Sequence, residues 1–150
     1  MWQRKQTVFL IFALVLTVVC MSLPLGVIEP KLMGAGVPVY NLGISGIQAS
    51  GYVGWIPFVI LLATCLLGVA TIACYKSRKT QMRLCNACIA LNAAWYAYFI
   101  YGLLSTFSEM GSFSMNWTLC IPLVSIILYA MAHSGIKKDD ELVRSMDRIR

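Results

Sequence analysis

The sequence predicts an all-α membrane protein, a four-transmembrane-helix bundle, and three observations lead to that fold class. Hydrophobic residues make up 59% of the 150 residues and charged residues only 12%, about half the charged share of a soluble domain. Four long runs contain no Asp, Glu, Lys or Arg. The basic residues lie beside these runs at alternate ends, as they do in membrane proteins.

Each of the four apolar runs has 19 to 21 residues, and a helix needs roughly 20 to cross about 30 Å of hydrocarbon. Backbone groups in lipid must form hydrogen bonds within their own segment, so the runs are predicted to be helices. A single integral membrane domain over residues 1–150 is expected. The predicted helices are Thr7–Val27, Pro57–Tyr75, Leu84–Leu104 and Thr118–Ile136.

The first run follows Arg4 and Lys5, a basic start that a cleaved signal peptide would share. Its apolar length exceeds the roughly 7–15 residues of a signal-peptide core, and no Ala-x-Ala-like cleavage site follows it. We therefore expect this run to be a retained membrane anchor.

The basic residues predict the orientation. Eleven of the twelve lie in the N-terminus, the loop between the second and third runs, or the C-terminal tail, and the twelfth is Lys31. Because basic loops stay on the cytoplasmic side, both termini are predicted to be cytoplasmic. The net charge of +6 is then explained by topology and by contact with anionic membrane lipids, and nucleic acid is not an expected partner.

The first external loop, residues 28–56, allows two interpretations. Val37 and Val39 alternate as in a strand, and Asn41, Leu42 and Gly43 could turn the chain, which would give a small β-hairpin over the outer mouth of the bundle. On this interpretation the hairpin would cap a cavity. The simpler interpretation, which we favour, is a connector with some sheet structure.

The sequence of the cytoplasmic tail, residues 137–150, predicts a short amphipathic C-terminal helix. Leu142, Val143, Met146 and Ile149 share one face at helical spacing. We expect this face to lie on the inner membrane surface, and a protein partner is the alternative occupant. The candidate interaction residues are Arg83, Lys137, Lys138, Asp139, Asp140, Arg144, Asp147 and Arg148.

Small and polar residues form stripes along the predicted helices. Such stripes usually turn inward, where they allow close packing and hydrogen bonds between helices, so a structural role is the main expectation. The alternative is a semi-polar cleft for a lipid-like or quinone-like molecule. Its candidate residues are Asn92, Tyr96, Ser125 and Tyr129.

Cys85 and Cys88 have the spacing of a redox motif, and His133 would lie at a similar depth, so a Cys2His metal site is conceivable. The cytoplasmic end keeps thiols reduced, and further ligands are missing, which favours a packing role for both cysteines. No run contains an ionisable carboxylate or amine of the kind that marks ion-coupled transport. We predict no catalytic residue, metal or cofactor.

Both ends of the chain resemble a known family. The segments WQRKQTVFL (Trp2–Leu10) and IKKDDELVRSMDRIR (Ile136–Arg150) resemble the opening and closing motifs of a domain of unknown function found mainly in the Bacteroidota. Its members are small uncharacterised four-helix integral membrane proteins, and the similarity in length and layout spans the chain. The resemblance implies a bundle in the bacterial inner (cytoplasmic) membrane and supplies no activity.

These observations favour a non-enzymatic membrane protein with a structural or interaction role, whose contact surface is the tail and the Arg83 loop. The alternative is a binder or carrier of a small lipophilic molecule, a lipid or a quinone, in the bundle interior. An intramembrane redox enzyme is the third hypothesis.

Overall fold

The computed structural model describes residues 5–30, 35–44, 54–74, 77–107 and 111–147. The long helices in these ranges are α1 (Lys5–Ser22), α2 (Trp55–Ala73), α3 (Arg78–Gly102) and α4 (Ile121–Asp147). The strands are β1 (Gly26–Pro30), β2 (Val37–Tyr40), β3 (Gly43–Ile44) and β4 (Gly111–Met115). A π-helical turn, Leu103–Phe107, extends α3, and a 3-10 turn, Trp117–Cys120, leads into α4.

The four helices pack in a ring, in which α1 contacts α2 and α4, and α3 contacts the same two helices. Their outward faces carry exposed aliphatic and aromatic side chains, and the buried interior adds threonine, serine and asparagine to its apolar side chains. Apolar outward faces with small polar residues between the helices are the arrangement that lipid favours. The exposed apolar residues of α1 and α2 include Val8, Ile11, Phe12, Val15, Val18, Val59, Leu62, Leu66 and Val69.

Three of the helices, α2, α3 and α4, are long and apolar enough to cross a membrane. The fourth, α1, is apolar over Gln6–Ser22 but shorter. The sequence predicted that the first helix would reach Val27, which is wrong, because α1 ends at Ser22 and β1 begins at Gly26. Pro24 explains the early end, since proline lacks the amide N–H that would continue the helix and restricts the residue before it.

The mostly helical fold is confirmed, but the β-structure is larger than the small hairpin that the sequence offered, because the four strands form one antiparallel sheet in the order β3-β2-β1-β4. The predicted hairpin exists as β2 and β3, joined at Asn41 and Leu42, with Gly43 at a φ of 138°, a conformation that glycine adopts without strain. The sequence did not indicate that β1 joins this hairpin to β4, which comes from the second external loop.

The tail is helical as predicted as far as Asp147, but its separation from the fourth helix was wrong, since α4 runs unbroken from Ile121 to Asp147. The apolar run ends near Ile136, but the residues that follow are lysine, aspartate, glutamate and leucine, with no proline or glycine to stop a helix. The end of the apolar run therefore marks a change of side-chain polarity within one helix.

Two groups of buried side chains form the core, one at each end of the bundle. At the sheet end, the strands rest on the helices through Cys20, Leu25, Ile28, Val39, Leu61, Trp95, Phe99 and Ile121. The other group lies among the helices toward the charged end, where α1 and α3 begin and Asp139 lies. It consists of Leu10, Ala13, Cys85, Cys88, Tyr129, Ala132 and Ile136.

Candidate functional site

Most buried hydroxyl groups of the helices bond to their own backbone. Thr64 and Thr71 on α2 donate to the carbonyls of the residues four positions earlier, at 2.9 and 2.7 Å. Thr17 on α1 and Ser125 on α4 do the same. These bonds satisfy the hydroxyl groups within one helix, so they indicate a structural use of the polar interior.

Asn92 is different, because only one side of its buried amide is bonded. Its Nδ2 donates to the carbonyl of Cys88, one turn earlier on α3, at 2.9 Å. Its Oδ1 is buried and has no hydrogen-bond partner among the described residues. Asn92 therefore presents a free acceptor to the interior.

Tyr129 on α4 also keeps an unpaired polar atom. Its hydroxyl lies over Gly68 of α2, where a Cβ atom would come within 2.9 Å of the hydroxyl oxygen. The same hydroxyl lies beside the Cys88 thiol, but no hydrogen bond of acceptable geometry joins it to any described residue. The thiol of Cys88 instead points at the Thr64 carbonyl, at 3.9 Å.

The other two residues predicted for a ligand cleft have partners. The hydroxyl of Tyr96 donates to the Leu119 carbonyl at 2.5 Å, and Ser125 donates to the Ile121 carbonyl at 3.2 Å. The four candidates thus differ: the hydroxyl groups of Tyr96 and Ser125 donate to backbone carbonyls, while Asn92 and Tyr129 each keep one polar atom without a partner among the described residues. Their binding role stays a prediction.

Cys85 and Cys88 are fully buried free thiols, and His133 is half-buried on α4. Within the ranges that the structure describes, no three side chains of His, Cys, Asp or Glu come close enough together to hold a metal ion. Burial of two thiols in the helix interior is consistent with the packing role that the sequence favoured.

The charged end of the bundle centres on Asp139. Its carboxylate accepts a hydrogen bond of 2.7 Å from Nε2 of Gln6, and its backbone carbonyl accepts one of 2.7 Å from Arg78. Gly135 makes the first bond feasible, since a Cβ there would lie 2.8 Å from Cγ of Gln6. The starts of α1 and α3 are thereby joined to the last third of α4.

The remaining charged candidates belong to the first turns of α3 and to the C-terminal part of the chain. Arg83, Lys137 and Lys138 are exposed, and Asp140 is half-buried. Arg144 and Asp147 belong to the last turns of α4, and Arg148 lies outside the described residues. The structure therefore brings Asp139 into contact with α1 and α3, and leaves the neighbouring lysines accessible.

The inward face of α4 extends beyond the other helices. Tyr129, Ala132 and Ile136 are buried at spacings of three and four residues, and Asp139 and Val143 continue that series. Val143 is 42% exposed and its neighbour Leu142 is 63% exposed. An apolar surface, which we call the α4 ledge (Leu142 and Val143), thus stands beyond the contact made by Asp139.

At the sheet end, the structure reveals contacts that the sequence did not predict. Nδ2 of the buried Asn41 donates to the Cys20 carbonyl at 2.6 Å. Trp95 stacks on Phe99, with ring centroids 5.5 Å apart, and Phe99 meets the edge of Phe113 in β4. The sequence signal was weak, because asparagine in a glycine-rich loop is usually read only as a turn residue.

The hairpin borders an open hollow of about 390 Å³ between the end of α1 and the start of α2. The lining is mainly apolar and consists of Met21, Tyr40, Leu42, Gly43, Ile44 and Phe58.

Comparison with known proteins identifies a family but no activity. No curated protein matches the sequence. The family described as "Domain of unknown function (DUF4293)" matches residues 2–149, which is nearly the whole chain. The chain belongs to this family of unknown function, DUF4293.

Proposed function

We propose that the chain is a non-enzymatic integral protein of the bacterial inner membrane that crosses the membrane four times and docks a partner protein at its cytoplasmic end. The observation that carries the docking proposal is the α4 ledge, where Leu142 and Val143 extend the inward face of α4 into solvent.

The side-chain distribution supports the membrane-spanning part of this proposal. Apolar residues cover the outward faces, and α2, α3 and α4 have the length and composition of membrane spans. The shorter α1 packs between α2 and α4. Its 18 residues extend about 27 Å at about 1.5 Å per residue, close to the thickness of thin bilayers.

The contacts of Asp139 support the proposed orientation. Gln6 and Arg78 both reach this residue, so the N-terminus, the loop before α3 and the tail meet at one end of the bundle. These three segments hold eleven of the twelve basic residues. Basic segments remain in the cytoplasm, and we therefore assign the charged end to that side.

The shape and charge of this end favour an amphipathic acidic segment as partner. The ledge offers apolar surface, and Lys79 and Arg83 near the start of α3 and Lys137 and Lys138 of α4 are exposed at the same end of the bundle. Apolar anchors of the partner would cover Leu142 and Val143, while its carboxylates would meet the lysines and arginine. Because α4 continues without a break past Ile136, the ledge lies farther from the membrane than the end of the apolar run.

A site-specific photocrosslinker in native membranes tests this proposal. Placed at position 143, it should give a discrete protein adduct that disappears when Leu142→Ser is added. The matched control is position 141, which is exposed on the opposite face of α4 and should give little adduct. Lipid-sized adducts from position 143, an adduct with a second copy of the chain, or equal labelling from both positions would contradict the proposal.

A second candidate function is the binding or carrying of a small lipophilic molecule in the bundle interior. One specific observation favours it, namely the unpaired polar atoms of Asn92 and Tyr129.

A further inference from the structure

Two buried polar atoms lie on either side of Cys88 without a partner in the described part of the chain. They are Oδ1 of Asn92, whose Nδ2 bonds to the Cys88 carbonyl, and the hydroxyl of Tyr129, which lies beside the Cys88 thiol. Native proteins pair nearly all such groups, and an unpaired one calls for an explanation. Inside a bilayer, surrounding lipid cannot supply the missing hydrogen bonds.

The bonds already made restrict what could pair with these atoms. Because Nδ2 of Asn92 is held by the Cys88 carbonyl, Oδ1 faces the interior and can only accept. The Tyr129 hydroxyl can donate and accept. The Cys88 thiol lies 3.9 Å from the Thr64 carbonyl oxygen and beside the Tyr129 hydroxyl, and a thiol sulfur is only a weak acceptor.

A hydroxyl group satisfies both requirements at once. Its proton can be donated to Oδ1 of Asn92, and its oxygen can accept from the Tyr129 hydroxyl. An ion fits less well, since burying a charge without an opposite charge is costly and the apolar runs contain no Asp, Glu, Lys or Arg.

The packing around Tyr129 is consistent with a site at this position. Gly68 allows the phenol oxygen to approach α2 closely, since a Cβ at position 68 would lie only 2.9 Å from it. The carbonyl and thiol of the same residue, Cys88, contact the two candidate side chains, so Asn92 of α3 and Tyr129 of α4 both lie against Cys88, and the Tyr129 hydroxyl also faces Gly68 of α2.

We infer that the interior between α2, α3 and α4 binds the hydroxyl group of one small molecule, with Asn92 Oδ1 as acceptor and the Tyr129 hydroxyl as donor. Two sources share this chemistry: an internal water, and a hydroxyl-bearing lipid or quinol. The inference deepens the second candidate function, and docking at the α4 ledge does not depend on it.

A double-substitution cycle on the full chain in detergent micelles provides the test. Tyr129→Phe and Asn92→Leu each remove one side of the site. If they share a ligand, each lowers the folded fraction, and the pair costs less than the sum, with a coupling of at least about fivefold in the unfolding equilibrium constant. The control pair, Tyr129→Phe with Thr118→Val, should show no coupling, because Thr118 lies eleven residues away along the chain.

Two further measurements on the same proteins separate the sources. An organic ligand would add mass to the intact wild-type protein in native mass spectrometry, and both substitutions would remove that mass. A bound water would add no organic mass, but its hydroxyl stretching band would shift in H₂¹⁸O and be lost in Tyr129→Phe. Either result together with coupling supports the inference.

Three results would overturn it. One is stabilisation by Tyr129→Phe, as expected when an unpaired buried hydroxyl is removed. The second is absence of coupling between Asn92 and Tyr129. The third is coupling without added mass or an isotope-sensitive band, which would indicate a direct contact. Because this test concerns the helix interior and the crosslinking test concerns Val143, the two proposals fail independently.

Discussion

The indole Nε1 of Trp95 donates a hydrogen bond of 3.0 Å to Oδ1 of Asn41, and both side chains are fully buried. The same asparagine donates through Nδ2 to the Cys20 carbonyl near the end of α1. One side chain in the turn between β2 and β3 therefore fastens the sheet to α1 and to α3.

Replacing this asparagine should destabilise the protein strongly. Asn41→Ala would leave the indole N–H and the Cys20 carbonyl buried and unpaired, which costs about 1–3 kcal/mol for each group. We expect the free energy of unfolding in detergent micelles to fall by at least about 2 kcal/mol. The control is Leu42→Ala in the same turn, where the side chain is 65% exposed and the effect should stay within about 0.5 kcal/mol. Equal effects of the two substitutions would show that the Asn41 bonds contribute little.

Because Tyr129 approaches α2 closely at Gly68, we predict that a substitution of Gly68 destabilises the protein by an amount that depends on the residue at position 129. Gly68→Ala would place a methyl group 2.9 Å from the Tyr129 hydroxyl oxygen, and we expect a loss of about 1–3 kcal/mol in unfolding free energy from the crowding. Tyr129→Phe removes that oxygen, so it should recover part of the loss in the Gly68→Ala background. An additive double variant would mean that the two positions do not clash.

We predict that loss of the hydrogen bond between Gln6 and Asp139 loosens the start of α1 without unfolding the whole protein. Asp139→Ala removes the carboxylate that accepts from Nε2 of Gln6 but keeps the backbone carbonyl that accepts from Arg78. We expect a cost of about 0.5–1.5 kcal/mol and faster hydrogen exchange in the first turns of α1. Gln6→Ala should reproduce this, and the double variant should add little.

Lys137→Ala serves as the matched control for that experiment, because Lys137 is exposed and lies two residues before Asp139. An exposed surface charge contributes little to the free energy of unfolding. If exchange in α1 changes equally in Lys137→Ala and Asp139→Ala, the Gln6–Asp139 bond is not what holds α1 to α4.

The sequence predicted the three long helices that could span a membrane. Charge-free apolar runs of about 20 residues have the length to cross a bilayer, and inside lipid the helix satisfies their backbone hydrogen bonds. It was less informative about where helices end. The run through Leu23 and Leu25 stays apolar although the chain changes from helix to strand there, and α4 continues past Ile136 although the run stops. An apolar run indicates that its side chains lie in an apolar environment, but it does not indicate where a helix begins or ends. Helix ends depend on local features such as Pro24.

The sheet and the candidate site were harder to predict for a different reason. β4 has the sequence GSFSM, with little strand character of its own, and it is ordered by pairing with β1, which is distant in sequence. Likewise, Asn92 and Tyr129 were recognisable as inward polar residues, but only the structure separates them from Tyr96 and Ser125, whose hydroxyl groups reach backbone carbonyls.

The central claim, a four-span protein that presents the α4 ledge to the cytoplasm, is tested most directly by mapping the topology with compartment-specific reporters. Pairs of reporters, one active only in the cytoplasm and one only outside it, would be fused at the N-terminus, beside Ser77, at Ala35 between β1 and β2, and after Arg150. We predict cytoplasmic activity at the N-terminus, Ser77 and Arg150, and external activity at Ala35. An external N-terminus would contradict the crossing by α1, and an external C-terminus would remove the ledge from the cytoplasm and contradict the proposed function.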